Sequence, residues 1–154
     1  RAPFRELTGR LQIFDGDIQK TWDRWYRGIA TGPQDQVAFW SRAERAWNWI
    51  ANCAPEEFQY HINKQPVKVE LSEPQTKAVQ ALVKLLDHVD LDSIEPKDLN
   101  QRLFDDIIHT TACDGKEFYQ AVYQKVISRD QGPRLPSFLK DLGAERIRRL
   151  LSDV

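Results

Sequence analysis

Among the 154 residues, four could together hold a metal: Cys53 and His61 upstream, His109 and Cys113 downstream. His109 and Cys113 lie four apart and would share one helix face, and zinc accepts a Cys2His2 set. Cys53 and His61 are spaced more loosely than the tight pairs of structural zinc sites. A small cysteine packing as a hydrophobe is the commoner case, so no metal is assigned. Neighbouring carboxylates such as Asp105-Asp106 read as a solvated helix face. GxGxxG, Walker, GxSxG and HExxH patterns do not occur in the sequence. His88 sits at a helix end, where a cation complements the dipole. What remains is binding chemistry. All five tryptophans lie between Trp22 and Trp49, interleaved with Arg24, Arg27, Arg42 and Arg45. Such rings could stack on unpaired bases or form a core. Trp22, Trp40 and Trp47 share faces with aliphatic residues and read as core. Trp25 and Trp49 fall off those stripes and read as the more exposed pair.

The charge is unevenly spread. Residues 1–70 carry ten basic and nine acidic groups, residues 71–115 four and nine, and residues 116–149 eight and four, within an overall net charge of −1. The basic stretch offers an anionic partner a landing site, although a solvated helix face would look the same. The apolar fraction of 41% is that of a folded globule. No stretch approaches the roughly 18 apolar residues of a membrane span, so no membrane partner is expected. Two cysteines 60 apart make no disulfide framework and suit a reducing, cytoplasmic setting. The chain opens at Arg1 with no Met and no signal or transit pattern, which reads as a piece of something larger. A monomer is favoured.

The elements that must position these residues are helical. Apolar spacing predicts helices over Pro3 to Phe14, broken at Asp15-Gly16-Asp17, and over Ile18 to Gly28. After Thr31-Gly32-Pro33, a third carries Phe39, Trp40, Ala43, Trp47 and Ile50. Residues 59–71, with Pro66-Val67-Lys68-Val69, read as extended and as the boundary between two lobes, 1–70 and 71–154. Ser72-Glu73-Pro74-Gln75 is a capping box opening a helix with Val79, Leu82, Val83, Leu86 and Val89 on one face. Another follows Pro96 with Leu99, Leu103, Ile107 and Ile108 inward. Asp114 opens the next, which turns inward either Phe118, Val122 and Val126 or Tyr119, Tyr123 and Val126. A short segment from Pro136 to Leu142, a stop at Gly143 and a basic helix from Ala144 to Ser152 close the chain. With no strand alternation and no βαβ rhythm, the fold class is all-α, a bundle or cage of about seven to eight helices.

The most specific local feature is the run from Tyr123 through Arg129, Gly132-Pro133-Arg134-Leu135 and Leu142-Gly143 to Glu145-Arg146. It resembles the C-terminal end of class I lysyl-tRNA synthetases, whose last helices are joined by a Gly-Pro-Arg-Leu loop and closed by Leu-Gly before a basic helix. Ala2-Pro3-Phe4-Arg5 with Gly16-Asp17, Arg42 to Ile50 with Ala54-Pro55-Glu56-Glu57-Phe58, and Leu71-Ser72-Glu73 resemble family segments in the same order. The resemblance therefore spans the whole chain. Pro136 departs from it, standing where the family favours glycine.

The resemblance implies a helical anticodon-binding cage, similar to that of the discriminating glutamyl-tRNA synthetases, attached to a Rossmann catalytic domain. The HIGH and KMSKS signatures that bind ATP there are absent from this sequence, so no catalytic residue and no cofactor are expected in this segment. The implied function is to bind the anticodon arm of lysine tRNA for an enzyme that attaches lysine using ATP. The implied tRNA-binding residues are Tyr123, Arg129, Gly132, Pro133, Arg134, Leu135, Arg146 and Arg149, with Arg148 beside them. Tyr123 aligns with an arginine that the glutamyl family uses in anticodon reading, and a tyrosine suits a uracil. The alternative is a helical protein-interaction module in which the aromatic lobe docks a partner chain.

Overall fold

The computed structural model describes residues 3–154; Arg1, and the Ala2 of the first family-like segment, lie outside them. The described residues form eight α-helices and no strand, as the patterning predicts. The chain divides into two compact units, Arg1–Ile62 and Asn63–Val154.

The first unit holds α1 (Phe4–Ile13), α2 (Ile18–Trp25), α3 (Pro33–Asn52) and a 3-10 turn at Glu56–Phe58. Two left-handed residues, Asp15 and Gly16, stop α1. Gly16 is required there twice over, because φ is +80° and a Cβ would lie 2.4 Å from the Trp47 ring. Asp17 caps α2, its side chain accepting from the Lys20 amide at 3.0 Å. Leu7, Leu11, Trp22, Phe39, Ala43, Ala46 and Ile50 make the core. Gln12 ties the tail of the unit to α1. Its amide donates to the Phe58 carbonyl at 3.3 Å, and its oxygen accepts from the Tyr60 amide at 2.8 Å.

The second unit holds α4 (Glu73–Leu85), α5 (Pro96–Leu103), α6 (Gly115–Ile127), α7 (Leu135–Leu142) and α8 (Ala144–Leu151). The capping box forms as read: Ser72 Oγ accepts from the Gln75 amide at 3.2 Å, and the Gln75 side chain accepts from the Ser72 amide at 3.0 Å. Helix α5 runs on through a π-helical stretch, Phe104–Ile108, and a last turn, His109–Thr111. The wider turn changes the helical register, so Ile107 is buried while Ile108, expected inward, is only half-buried. Helix α6 packs against α4 and α8, and α7 packs against α5.

Residues 63–67 belong with this unit. The Asn63 amide donates to the Val126 carbonyl at 2.7 Å. The Lys125 ammonium, only 2% exposed, is shared by the Val67 carbonyl and the Asp153 carboxylate, each at 2.6 Å. A buried ammonium needs such partners, because an unpaired one would be prohibitively desolvated.

Candidate nucleic-acid interface

The second unit contains a cleft of about 1330 Å³, larger than the 300–1,000 Å³ typical of small-molecule pockets. Three elements build it. Helix α5 contributes Lys97, Asn100 and Phe104, spaced three and four apart and so sharing one face. Helix α6 contributes Lys116, Tyr119, Gln120 and Tyr123 at the same spacing. The third wall is the loop 130–134 with the first turn of α7. Phe104 is the first residue of the π-helical stretch and stays 37% exposed in the cleft.

Tyr123 seats the loop. Its ring is buried and its hydroxyl donates to the Pro133 carbonyl. Burial, with a smaller contribution from Tyr119, pushes the Tyr123 phenol far above the ordinary tyrosine range, so it stays a neutral donor. A Cβ on Gly132 would lie 2.8 Å from the Tyr123 ring and 2.9 Å from Ile127 Cδ1, so only glycine lets the loop sit this close. Pro136, the departure from the family pattern, falls within the first turn of α7 and is buried. Proline is compatible there, since the first helical amides have no intrahelical acceptor.

Arg134 directly precedes α7 and is exposed in the cleft, with no ion pair among the described residues. Asp130 is instead held by the side-chain amides of Gln124 and Gln120, which keep its carboxyl below the usual carboxylate range. Tyr119 is half-buried. Burial raises its pKa, and the positive charge of Arg134 opposes that rise. Lys97 and Lys116 are also exposed and unpaired among the described residues. The cleft therefore joins accessible rings to three uncommitted cations, a combination suited to stacking a base and holding its phosphates.

Of the residues read from the sequence, the structure gathers Tyr123, Gly132, Pro133, Arg134 and Leu135 along one cleft. Leu135 is 1% exposed and forms wall rather than contact surface. Arg129, Arg146 and Arg149 lie outside this lining. Arg129 follows Ser128, whose left-handed backbone ends α6 and redirects the chain. Arg146 and Arg149 sit on α8, which packs against α4, α6 and α7. Burial first, and then the charge of Arg149, lowers the Arg146 pKa. Arg148 pairs with Asp87 at 2.8 Å. Tyr119, Asn100, Phe104, Lys97 and Lys116 were not singled out as site residues. The four-residue spacing of Tyr119 and Tyr123 was the available signal.

The four metal-like residues, assigned no metal from the sequence, are not gathered, and one reading of the tryptophans is corrected. Among the described residues no group of three or more His, Cys, Asp or Glu could hold a metal. Cys113 is buried, and desolvation raises its thiol pKa, whereas zinc binds thiolate. Trp25 and Trp49 are not exposed. Arg10 lies 4.2 Å over the Trp25 ring, and Trp49 packs edge-on between Phe4 and Phe58 at 5.4 and 5.2 Å. Among the described residues no helix is long and apolar enough to cross a membrane.

No family model matches the chain. It is, however, similar over nearly all its length to lysine–tRNA ligases. That of Treponema pallidum is 33% identical over 154 residues, covering 99% of this chain and 28% of the relative. That of Borreliella burgdorferi is 24% identical over 151 residues, covering 97% and 28%. That of Methanopyrus kandleri is 28% identical over 110 residues, covering 71% and 20%. The chain thus spans at most about 28% of the length of these relatives. The resemblance to class I lysyl-tRNA synthetases carried by the ordered motifs is borne out. By its sequence the chain resembles, over nearly all its length, a C-terminal part of the lysine–tRNA ligases.

Proposed function

We propose that the second unit binds the anticodon arm of lysine tRNA, on behalf of a class I ligase whose lysine- and ATP-handling part lies elsewhere in the protein, in the cytoplasm. Recognition proceeds without chemistry. Arg134, Lys97 and Lys116 engage phosphates or base edges, and Tyr119 and Phe104 offer ring faces to extruded bases. Tyr123, Gly132 and Pro133 fix the loop that carries Arg134. The observation that carries this reading is the cleft itself, where exposed cations without ion-pair partners surround partly exposed aromatic rings.

Titrating the chain with a lysine-tRNA anticodon stem-loop across about 50 to 200 mM salt tests it. Three phosphate-binding cations on single-stranded RNA give a log–log slope near −2, from about −0.7 per contact. Arg134→Ala is expected to cost about 1–3 kcal/mol of binding with the melting temperature unchanged. A phosphate role lowers the slope by about 0.7, whereas a base-edge role makes the loss depend on the anticodon. Equal affinity for the stem-loop and an unrelated hairpin would overturn the proposal.

A further inference from the structure

Within the cleft, one pair of polar side chains joins the two helical walls. Tyr119 on α6 donates its hydroxyl proton to Asn100 Oδ1 on α5 at 3.4 Å, and both residues are half-buried. In this arrangement each group keeps hydrogen-bonding capacity. The Asn100 amide nitrogen keeps two donor hydrogens, with no partner among the described residues. The Tyr119 oxygen, its proton committed, keeps lone pairs that accept. A donor and an acceptor therefore stand side by side at the inner edge of a cleft otherwise lined by cations and ring faces.

We infer that Asn100 and Tyr119 together read the Watson–Crick edge of one unpaired base and select a keto base over an amino base. This rests on the anticodon-arm reading above. A uracil presents O4 beside N3–H, and a guanine O6 beside N1–H, so an acceptor beside a donor meets the Asn100 donor and the Tyr119 acceptor. Cytosine and adenine present the reverse order and meet the pair only when turned over, with the amino group at the Tyr119 oxygen and the ring nitrogen at the Asn100 amide. The surroundings oppose that reversal. Arg134, Lys97 and Lys116 are all donors and positive, and they favour carbonyl oxygens over amino groups at this edge. Of the two acidic lining groups, Asp130 already accepts from Gln120 and Gln124, which leaves Glu95 as the competing acceptor.

The test uses the 154-residue chain and lysine-tRNA anticodon stem-loops carrying each of the four bases at each anticodon position. At one position, uracil or guanine should bind at least about tenfold more tightly than cytosine or adenine, the scale of one good bidentate contact. Asn100→Ala should bring that ratio close to one. The salt slope should hold, since no phosphate contact is removed, and the melting temperature should fall only slightly, since alanine suits an α5 position and the lost contact is long. Tyr119→Phe should reduce the ratio while keeping the ring for stacking. A ratio that survives Asn100→Ala, or an equal loss of affinity for all four bases, would overturn the inference and leave the pair as a tie between helices. If the unsubstituted chain prefers no anticodon stem-loop over an unrelated hairpin, the anticodon reading fails first, and the two failures are distinguishable.

Discussion

In the first unit, Trp22, Trp25, Tyr26 and Phe39 pack with ring centroids 4.2 to 6.3 Å apart. Arg10 lies over one of those rings. In the second unit Tyr119 and Phe104 keep part of their surface in a cleft, and Arg134 has no ion pair among the described residues. Both units are rich in aromatic and basic residues, yet these are committed differently. A ring enclosed by other rings contributes stability, and a ring left at a cleft wall is available to a ligand. Composition alone therefore does not show where rings stay accessible, since all five tryptophans belong to the first unit.

The sharpest way to break this comparison is to damage the core of the first unit. Phe39 is 4% exposed and touches Trp22, Trp25 and Tyr26. Phe39→Ala should destabilise that unit by about 3–5 kcal/mol through lost transfer energy and a cavity. Denaturant unfolding followed by tryptophan fluorescence measures this, because every tryptophan reports from that unit. RNA affinity per folded molecule should not change, and a proportionate loss of affinity would show that the first unit belongs to the site.

A smaller effect sharpens the role of the loop seat. Tyr123→Phe keeps the ring against Gly132 but removes the hydrogen bond to the Pro133 carbonyl. The expected loss of stability is about 0.5–1.5 kcal/mol. Affinity for the stem-loop should fall, by less than for Arg134→Ala, because the substitution loosens the loop without removing its cation. Unchanged affinity at reduced stability would make Tyr123 a core residue only.

Much of this organisation is legible in the sequence. The left-handed break at Asp15-Gly16, the Ser72–Gln75 box, the Asp114 cap and the Gly143 stop are local chemistry, and each falls where its residues predict. The Gly-Pro-Arg-Leu loop, conspicuous in the sequence, lies along the cleft. What the sequence obscured is which side chains meet across elements. The π-helical turn that exposes Phe104 has no local signature, and Asn100 looks like any polar residue on a helix until α6 is packed opposite it. The basic helix α8 shows the same dependence on packing. Its arginines are conspicuous in sequence, but its packing puts none of them in the cleft lining.

The smallest expected effect concerns Asp130, the acidic group beside the cations of the cleft. Gln124 and then Gln120 donate to its carboxylate, holding its pKa below the usual carboxylate range. A carboxyl depressed in the folded state contributes stability above its unfolded pKa, and that contribution disappears as pH falls through the folded value. Because the unfolded value is near 3.9, stability should be flat in this term above about pH 5 and respond only in the acid limb. Carbon-detected NMR titration should place the Asp130 midpoint below that of an aspartate in a model peptide. Gln124→Ala should raise the midpoint more than Gln120→Ala, in the order of their contributions. Protonation also removes one negative charge from a cleft that holds phosphates, so RNA affinity should rise slightly over the same acid interval, and Asp130→Asn should abolish that rise. A midpoint that Gln124→Ala leaves unmoved would mean that the two glutamines do not hold the carboxylate. Asp130 would then be free to reach the cleft cations, which would lose the uncommitted state that separates this unit from the first.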